Sequence, residues 1–393
     1  MTRWRQRLHQ DPEAAFQENK TARFINQRLR AIGVDEVHVV GKTGIVAVLH
    51  GSENATGAAI MLRAELDAQK GTEETGLPHA SRQAGVHHSS GHDGHAAMLL
   101  GAAKYLADTR NFSGTVYLLF QPGEEQGGMQ MLLDEGLLEK FPCQAVYALH
   151  NKPDLPLGTM ATDKNALLPC ADTFSITLTG KGGDLFDPTV LTDVLSCASD
   201  IVNHVRQGED SLPKDAPGLF RVTVFQTGDK EANRLSDRAV LAGILRTFDA
   251  DIQAQYKKEL QDALISAAAR HGVQAQITFA ASTPALVNAQ AETDFARQVA
   301  ADTVGLDKVV ILQKGLAVEG FSALLEKTPG NYMVIGTGPM AGAKQPAVPL
   351  RSARYDFNDA ALPIGASYWA RLVEKALPLS SASKPPSSKP PIP

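Results

Sequence analysis

The sequence predicts an α/β protein: a large domain with a mostly parallel sheet, into which a small ferredoxin-like (βαββαβ) domain is inserted. Three observations lead there. Over residues 1–172 short apolar runs alternate with amphipathic helical stretches, the rhythm of strands covered by helices. Over residues 173–288 apolar and polar residues alternate one by one, as in a sheet with one wet face. From residue 289 to residue 378 the chain returns to the large domain and closes on an apolar helical stretch.

Residues 4–33 carry helical spacing in Phe16, Phe24, Ile25, Leu29 and Ile32, with Gly33 suited to a left-handed helix end. Residues 44–49 and 60–66 read as strands. Residues 94–107 read as a helix with Met98, Leu99, Ala102, Tyr105 and Leu106 on one face. Strands follow at 115–120 and 145–149. In the middle, Phe174, Ile176 and Leu178 alternate with Ser175, Thr177 and Thr179. A helical stretch over about 188–206 comes next, then the alternation of Phe220, Val222 and Val224. A strand at 239–247, a helix at 251–271 and a strand at 275–280 complete the order β-α-β-β-α-β. Residues 360–376 form the closing helix. Residues 379–393 hold serine, lysine and proline with almost nothing apolar, and are expected to be a disordered tail.

Composition narrows the function classes. Of 393 residues, 43% are hydrophobic and 21% charged, enough for a large core and more than one domain. The net charge of -5 and the absence of a Lys/Arg-rich run argue against a nucleic-acid partner. No apolar run reaches the roughly 18–20 residues of a membrane helix. Residues 1–7 are charged and lack the apolar core of a signal peptide, so a cytoplasmic location is expected. Cys143, Cys170 and Cys197 form no CxxC pair and read as reduced, mostly buried thiols.

Four polar pieces fall where an open α/β sheet places ligands, at the carboxyl ends of strands. They are Ser90-Gly91-His92-Asp93-Gly94-His95, Gln121-Pro122-Gly123-Glu124-Glu125, His150-Asn151, and Arg63-Ala64-Glu65-Leu66-Asp67. Imidazole with carboxylate suits zinc, manganese, cobalt or nickel. Of two adjacent glutamates, one can ligate a metal while the other takes a proton from water. Alone, a His-Asp-Gly-His is ordinarily a turn and helix cap, and a Glu-Glu is ordinarily solvated surface. Four such pieces, each tied to a strand end, point to a cleft.

The chain to about residue 377 resembles the aminoacylase, hippurate hydrolase and auxin-conjugate hydrolase group, peptidase family M-twenty, subfamily D. The resemblance rests on Arg7-Leu8-His9-Gln10, Gly41-Lys42-Thr43-Gly44, Glu73-Glu74-Thr75-Gly76-Leu77-Pro78, Gly91-His92-Asp93-Gly94-His95, Phe120-Gln121-Pro122-Gly123-Glu124-Glu125, Leu149-His150-Asn151, Gly180-Lys181-Gly182-Gly183 and Arg354-Tyr355-Asp356-Phe357-Asn358-Asp359. It implies a two-metal catalytic α/β domain (1–172 and 289–378) and an inserted lid (173–288) that binds the substrate carboxylate and dimerises. Glu124 takes the position of the general base. His92 and His150 take the positions of ligands to one metal, and Glu125 to the other.

Several positions depart from the family pattern. The bridging cysteine is Ser90, and the C-terminal histidine ligand is Arg351. The lid histidine expected at the scissile carbonyl is Asp184, and the Pro-His that follows is Pro188-Thr189. The family's Gly-Ser-Glu-Asp-Phe is Ala317-Val318-Glu319-Gly320-Phe321, and an aspartate has become Glu65. The substrate-holding lid asparagine corresponds to Asn233. A neutral serine hydroxyl holds a divalent ion weakly, and a guanidinium cannot ligate at all. An Arg351 beside Glu125 is therefore expected to form an ion pair where a metal would sit.

The expected function is hydrolysis of an N-acyl or aryl-amide C–N bond of a small molecule, with at most one divalent metal (Zn, Mn, Co or Ni). Glu124, Asp184 and Arg351 are the catalytic candidates, Asn233 and Glu65 the substrate-binding ones, and His92, Glu125 and His150 the metal ligands. The alternatives are a metal-independent enzyme using Glu124 and Arg351, or a non-catalytic binding relative. No nucleic-acid or membrane partner is expected, and a homodimer through the lid is.

Overall fold

The computed structural model describes residues 1–54, 57–186, 191–212, 218–228, 231–340 and 346–380, the side chains of 281 and 282 excepted. Residues 381–393 of the expected 379–393 tail and the Pro188-Thr189 pair lie outside the described residues. The chain divides into two compact units, Met1–Lys164 with Asn288–Leu312 and Ala323–Pro393, and Asn165–Val287 with Gln313–Ser322.

The first unit is built on an eight-stranded sheet. Its order is Glu36–Val40, Gly44–His50, Thr115–Gln121, Ala59–Glu65, Ala145–Pro156, Gly330–Gly338, Met160–Thr162 and Val309–Ile311. The middle four strands, from Thr115–Gln121 to Gly330–Gly338, run parallel. Ala59–Glu65 is buried at every position, as a strand covered on both faces must be. The helix His92–Thr109 is buried along most of its length and packs on Thr2–Gln10, Asn19–Ile32 and Leu362–Ala376. Met98, Leu99, Leu106, Tyr368 and Trp369 join the same core.

The single helical stretch expected over 4–33 is two helices, Thr2–Gln10 and Asn19–Ile32. Pro12 has no N–H and bars the preceding residue from helical geometry, so the first helix stops at Gln10. Phe16, inside the interruption, sits at φ 61°. Gly33 ends the second helix at φ 88°, its N–H bonded to the carbonyls of Leu29 and Arg30.

The second unit holds a four-stranded antiparallel sheet in the order Leu219–Thr227, Arg238–Thr247, Cys170–Thr179, Gln274–Thr283. Helices Val194–Asp210 and Ala250–His271 cover one face, giving the chain order β-α-β-β-α-β. Phe174, Ile176 and Leu178 are buried against them, while Thr173, Ser175 and Thr179 are exposed. The first of these helices starts at Val194, because the Asp193 carboxylate accepts the Ser196 N–H at 2.9 Å and caps it there.

The second unit leaves and rejoins the chain at neighbouring points. Ala166–Leu168 pairs with Leu286–Val287 near its two ends. In the first unit, the Asn288 amide donates to the Asp163 carbonyl at 2.8 Å and to Thr162 Oγ1 at 3.0 Å. Gln313–Ser322 groups with the second unit, where Gly315 N–H meets the Leu167 carbonyl at 3.0 Å and Arg246 meets the Leu316 carbonyl at 2.5 Å. Cys170 and Cys197 are buried, Cys143 is half-buried, and all three are free thiols. Among the described residues no helix is long and apolar enough to cross a membrane.

Candidate active site

The polar pieces meet because of strand and helix periodicity. Arg63 and Glu65 are two apart in one strand and so share a face. His92 and His95 are three apart at the start of a helix and share a face there. His150 and Asn151 lie in the Ala145–Pro156 strand. Two glycines let these segments approach. Gly91 has φ 83°, and a Cβ there would stand 2.7 Å from Asn151 Oδ1. Gly123 has φ 61°, and a Cβ there would stand 2.5 Å from the Phe16 ring. Each position excludes a side chain on both counts.

Glu65, His92, His95 and His150 offer one ligand atom each within 4.8 Å of one another. Their hydrogen bonds divide the labour. His92 Nδ1–H donates to the Asp67 carbonyl at 2.7 Å, with the Asp67 carboxylate 3.3 Å away. His150 Nδ1–H donates to the Asn151 carbonyl at 2.8 Å. In both rings Nε2 is thus the nitrogen available to a ligand. His95 differs. Its Nδ1–H donates to Glu65 Oε2 at 2.8 Å, and its Nε2 lies 2.6 Å from Asn151 Oδ1 and 3.0 Å from the Asn151 backbone nitrogen. With both nitrogens engaged, His95 holds Glu65 and Asn151 in place.

Each glutamate of the 124–125 pair meets a guanidinium. Arg63, 1% exposed, donates to Gln121 Oε1 at 2.7 Å, to Glu65 Oε1 at 2.5 Å and to Glu124 Oε2 at 2.5 Å. Gln121 adds a bond to the same Glu124 oxygen at 2.7 Å. Arg351 Nη2 lies 3.0 and 2.9 Å from the two oxygens of Glu125, whose N–H donates to Asp67 Oδ2 at 3.1 Å.

Burial would raise the Glu65 carboxyl, but Arg63 and His95 hold it well below the ordinary carboxylate range. Burial would lower His92, yet its contact with Asp67 and the charges of Glu65 and Glu125 carry it up to about 10. His150 is pushed down to about 3, chiefly by burial and then by His95. Behind the cluster, Asp93 Oδ2 accepts His9 Nδ1–H at 2.8 Å, and buried Arg5 binds Asp356 and Asp359 at 2.6 and 2.7 Å.

Residues 61–375 match the family described as Peptidase family M20/M25/M40. The chain belongs to that family. It is 33% identical to the N-acetyl-L-cysteine deacetylase of Bacillus subtilis (strain 168) over 85% of this chain and 79% of that protein. It is 30% identical to the hippurate hydrolase of Campylobacter jejuni over 95% of each. The crystal structure of the Bacillus subtilis YXEP protein, described as a dinuclear metal binding peptidase of the M20 family, has a TM-score of 0.79. It is 29% identical, covering 96% of this chain and 97% of that one. As an M20-family member the chain is a hydrolase.

Within this M20 chain, His92 and His150 come together in the cluster with their Nε2 atoms available, and half of a metal site fits. The other half lacks a second nitrogen ligand, since Arg351, which cannot ligate, stands there with its guanidinium on Glu125. Glu65, expected to touch substrate, is instead buried at 1% exposure between Arg63 and His95. Asp184 and Asn233 meet at 3.4 Å in the second unit, Asp184 pairing with Arg234 across a two-stranded ladder. The sequence placed Arg63, His95 and Asn151 within the polar pieces of the cleft but gave them no role there. A lone arginine inside an apolar strand, two residues from a glutamate, was the signal for the first. The i, i+3 spacing of His92 and His95 was the signal for the second.

Proposed function

We propose that this chain hydrolyses the C–N bond of a small N-acyl or aryl-amide molecule, with at most one divalent metal, zinc, manganese, cobalt or nickel. The observation that carries the reading is the shared guanidinium of Arg63, which ties Glu124 to the cluster that contains His92 and His150. A divalent ion held on those imidazoles supplies Lewis acidity toward water and the amide carbonyl. Glu124, 9% exposed and aimed by Arg63 and Gln121, takes a proton from the attacking water and returns it to the leaving nitrogen. On the family resemblance we keep Asp184 as a catalytic candidate and Asn233 as a substrate-binding one. Asp184 in place of a histidine favours a substrate with a cationic or hydrogen-bond-donating group there.

The test is turnover of a panel of N-acyl amino acids, hippurate and aryl amides, with each of the four metals supplied in turn and released amine measured. Glu124→Gln is expected to lower kcat by about 10²–10⁴-fold. No turnover of any amide under any metal, or an unchanged rate in Glu124→Gln, would sink the proposal. The forked Arg351–Glu125 pair favours a second reading, a metal-independent enzyme in which Arg351 supplies the positive charge. Activity that persists in chelator and vanishes in Arg351→His would select it.

We also propose a cytoplasmic homodimer formed through the second unit. Leu219–Thr227 is an edge strand of its sheet, and Val224 and Phe225 on it are exposed at 37% and 43%. Light scattering after size exclusion should give two chains for the wild type and one for Phe225→Lys.

A further inference from the structure

We propose that Glu65 is the carboxylate ligand of a single relocated metal centre, completed by Nε2 of His92 and Nε2 of His150. The inference deepens the proposed function and names a donor that the thiolate-bridged pair of the family does not use. Two histidines and one carboxylate with open positions suit a catalytic zinc, and equally cobalt or manganese.

Four observations converge on it. First, both imidazoles are held through Nδ1–H by backbone carbonyls, the arrangement that fixes the tautomer of metal-binding histidines. Second, Glu65 is held on both sides, Oε1 by Arg63 and Oε2 by His95, and each oxygen keeps a further lone pair for an ion. His95 has no nitrogen to spare, so it orients the carboxylate. Third, the charges around the cluster are unequal. The carboxylates of Glu65, Asp67, Glu124 and Glu125 face the guanidiniums of Arg63 and Arg351, so with both imidazoles neutral, as ligation requires, two negative charges are left for a divalent cation to balance. Asp67 Oδ1, buried beside His92, has no hydrogen-bond partner. Fourth, the rest of the family's donor set is replaced or weak. Arg351, which cannot ligate, stands beside Glu125 in place of a histidine, and Ser90 offers a neutral hydroxyl. An aspartate at position 65 would draw its carboxylate back by one methylene, away from the imidazoles.

The test uses the full chain, stripped with chelator and titrated with Zn²⁺ or Co²⁺ alone by calorimetry and metal analysis. One ion per chain is expected. Glu65→Gln keeps a hydrogen-bonding amide beside Arg63 and is expected to weaken binding by more than about 100-fold, the upper range for losing a mere supporting partner. Ser90→Ala and Glu125→Gln are expected to keep one ion with near wild-type affinity. These two variants bear on the assignment even where Glu65→Gln does not fold. Zinc-edge X-ray absorption on the wild type should count two imidazoles. Two ions per chain, no ion at all, a third imidazole, or loss of the ion in Glu125→Gln or Ser90→Ala would each overturn the assignment. Amide turnover is read separately on the same preparations. One ion bound through Glu65 without turnover defeats the proposed reaction alone, and turnover with the ion on Glu125 defeats this inference alone.

Discussion

Arg63 carries more of the site than its place in an apolar strand suggests. It is buried, it joins Glu65 to Glu124, and its fork matches carboxylates on two sides. Removing one member of a buried ionic group strands the others without water. Arg63→Met is therefore expected to lower stability by about 3–5 kcal/mol in urea denaturation. Arg63→Lys should also destabilise the protein, because an ammonium cannot span both carboxylates in the same plane. Gly123 poses the opposite problem, a side chain where there is no room. Gly123→Ala should cost about 1–3 kcal/mol from the left-handed backbone, plus the contact with Phe16. Phe16→Ala in that background should recover only the contact, and a double-mutant cycle separates the two. Placement was legible where a motif closed a strand or opened a helix, as with Glu124 after Thr115–Gln121 and His92 at the start of its helix. The role of Arg63 was illegible, because burial and pairing are properties of the neighbouring strands.

Between elements, the helix Thr2–Gln10 braces the start of His92–Thr109. Arg5 and His9 are four apart, so both face Asp93. Burial would lower His9, but Asp93 and Glu73 outweigh it and raise its pKa. Burial would raise Asp93, but His9, His88 and Arg5 hold it below the ordinary range. The raised histidine stabilises the fold fully below about pH 6.5, and that contribution fades as pH climbs through the folded pKa. The depressed aspartate stabilises it above about pH 3.9, and that contribution fades as pH falls toward the folded pKa. In thermal melting followed by circular dichroism, the stability difference between wild type and His9→Gln should shrink as pH climbs above about 6.5, and that between wild type and Asp93→Asn as pH falls below about 3.9. A difference from His9→Gln that stays constant as pH climbs would remove the histidine from the account. Helical spacing revealed both N-terminal helices but joined them, since Phe16 keeps the period while Pro12 forbids the continuation.

At the scale of the whole molecule, the switch from helical rhythm to strict alternation marked the second unit, and its two-helix, four-strand order follows that pattern. What periodicity could not mark is Gln313–Ser322, which groups with that unit through contacts to Leu167 and Arg246 far away in sequence. The pairing of Ala166–Leu168 with Leu286–Val287 has a kinetic side. For the first unit, everything from Asn165 to Val287 is one long loop, and closing a flexible loop of that length costs about 4 kcal/mol of chain entropy. Once the second unit has folded, its own ladder brings the two ends together, and Lys164 and Asn288 are delivered side by side to the waiting sheet. The expected order has the four-stranded sheet of the insert forming first, the host gaining a short connection once it has, and Gln313–Ser322 joining the second unit last. Pulse-labelling hydrogen exchange during refolding should find Cys170–Thr179 and Arg238–Thr247 protected before Gly330–Gly338 pairs with Ala145–Pro156.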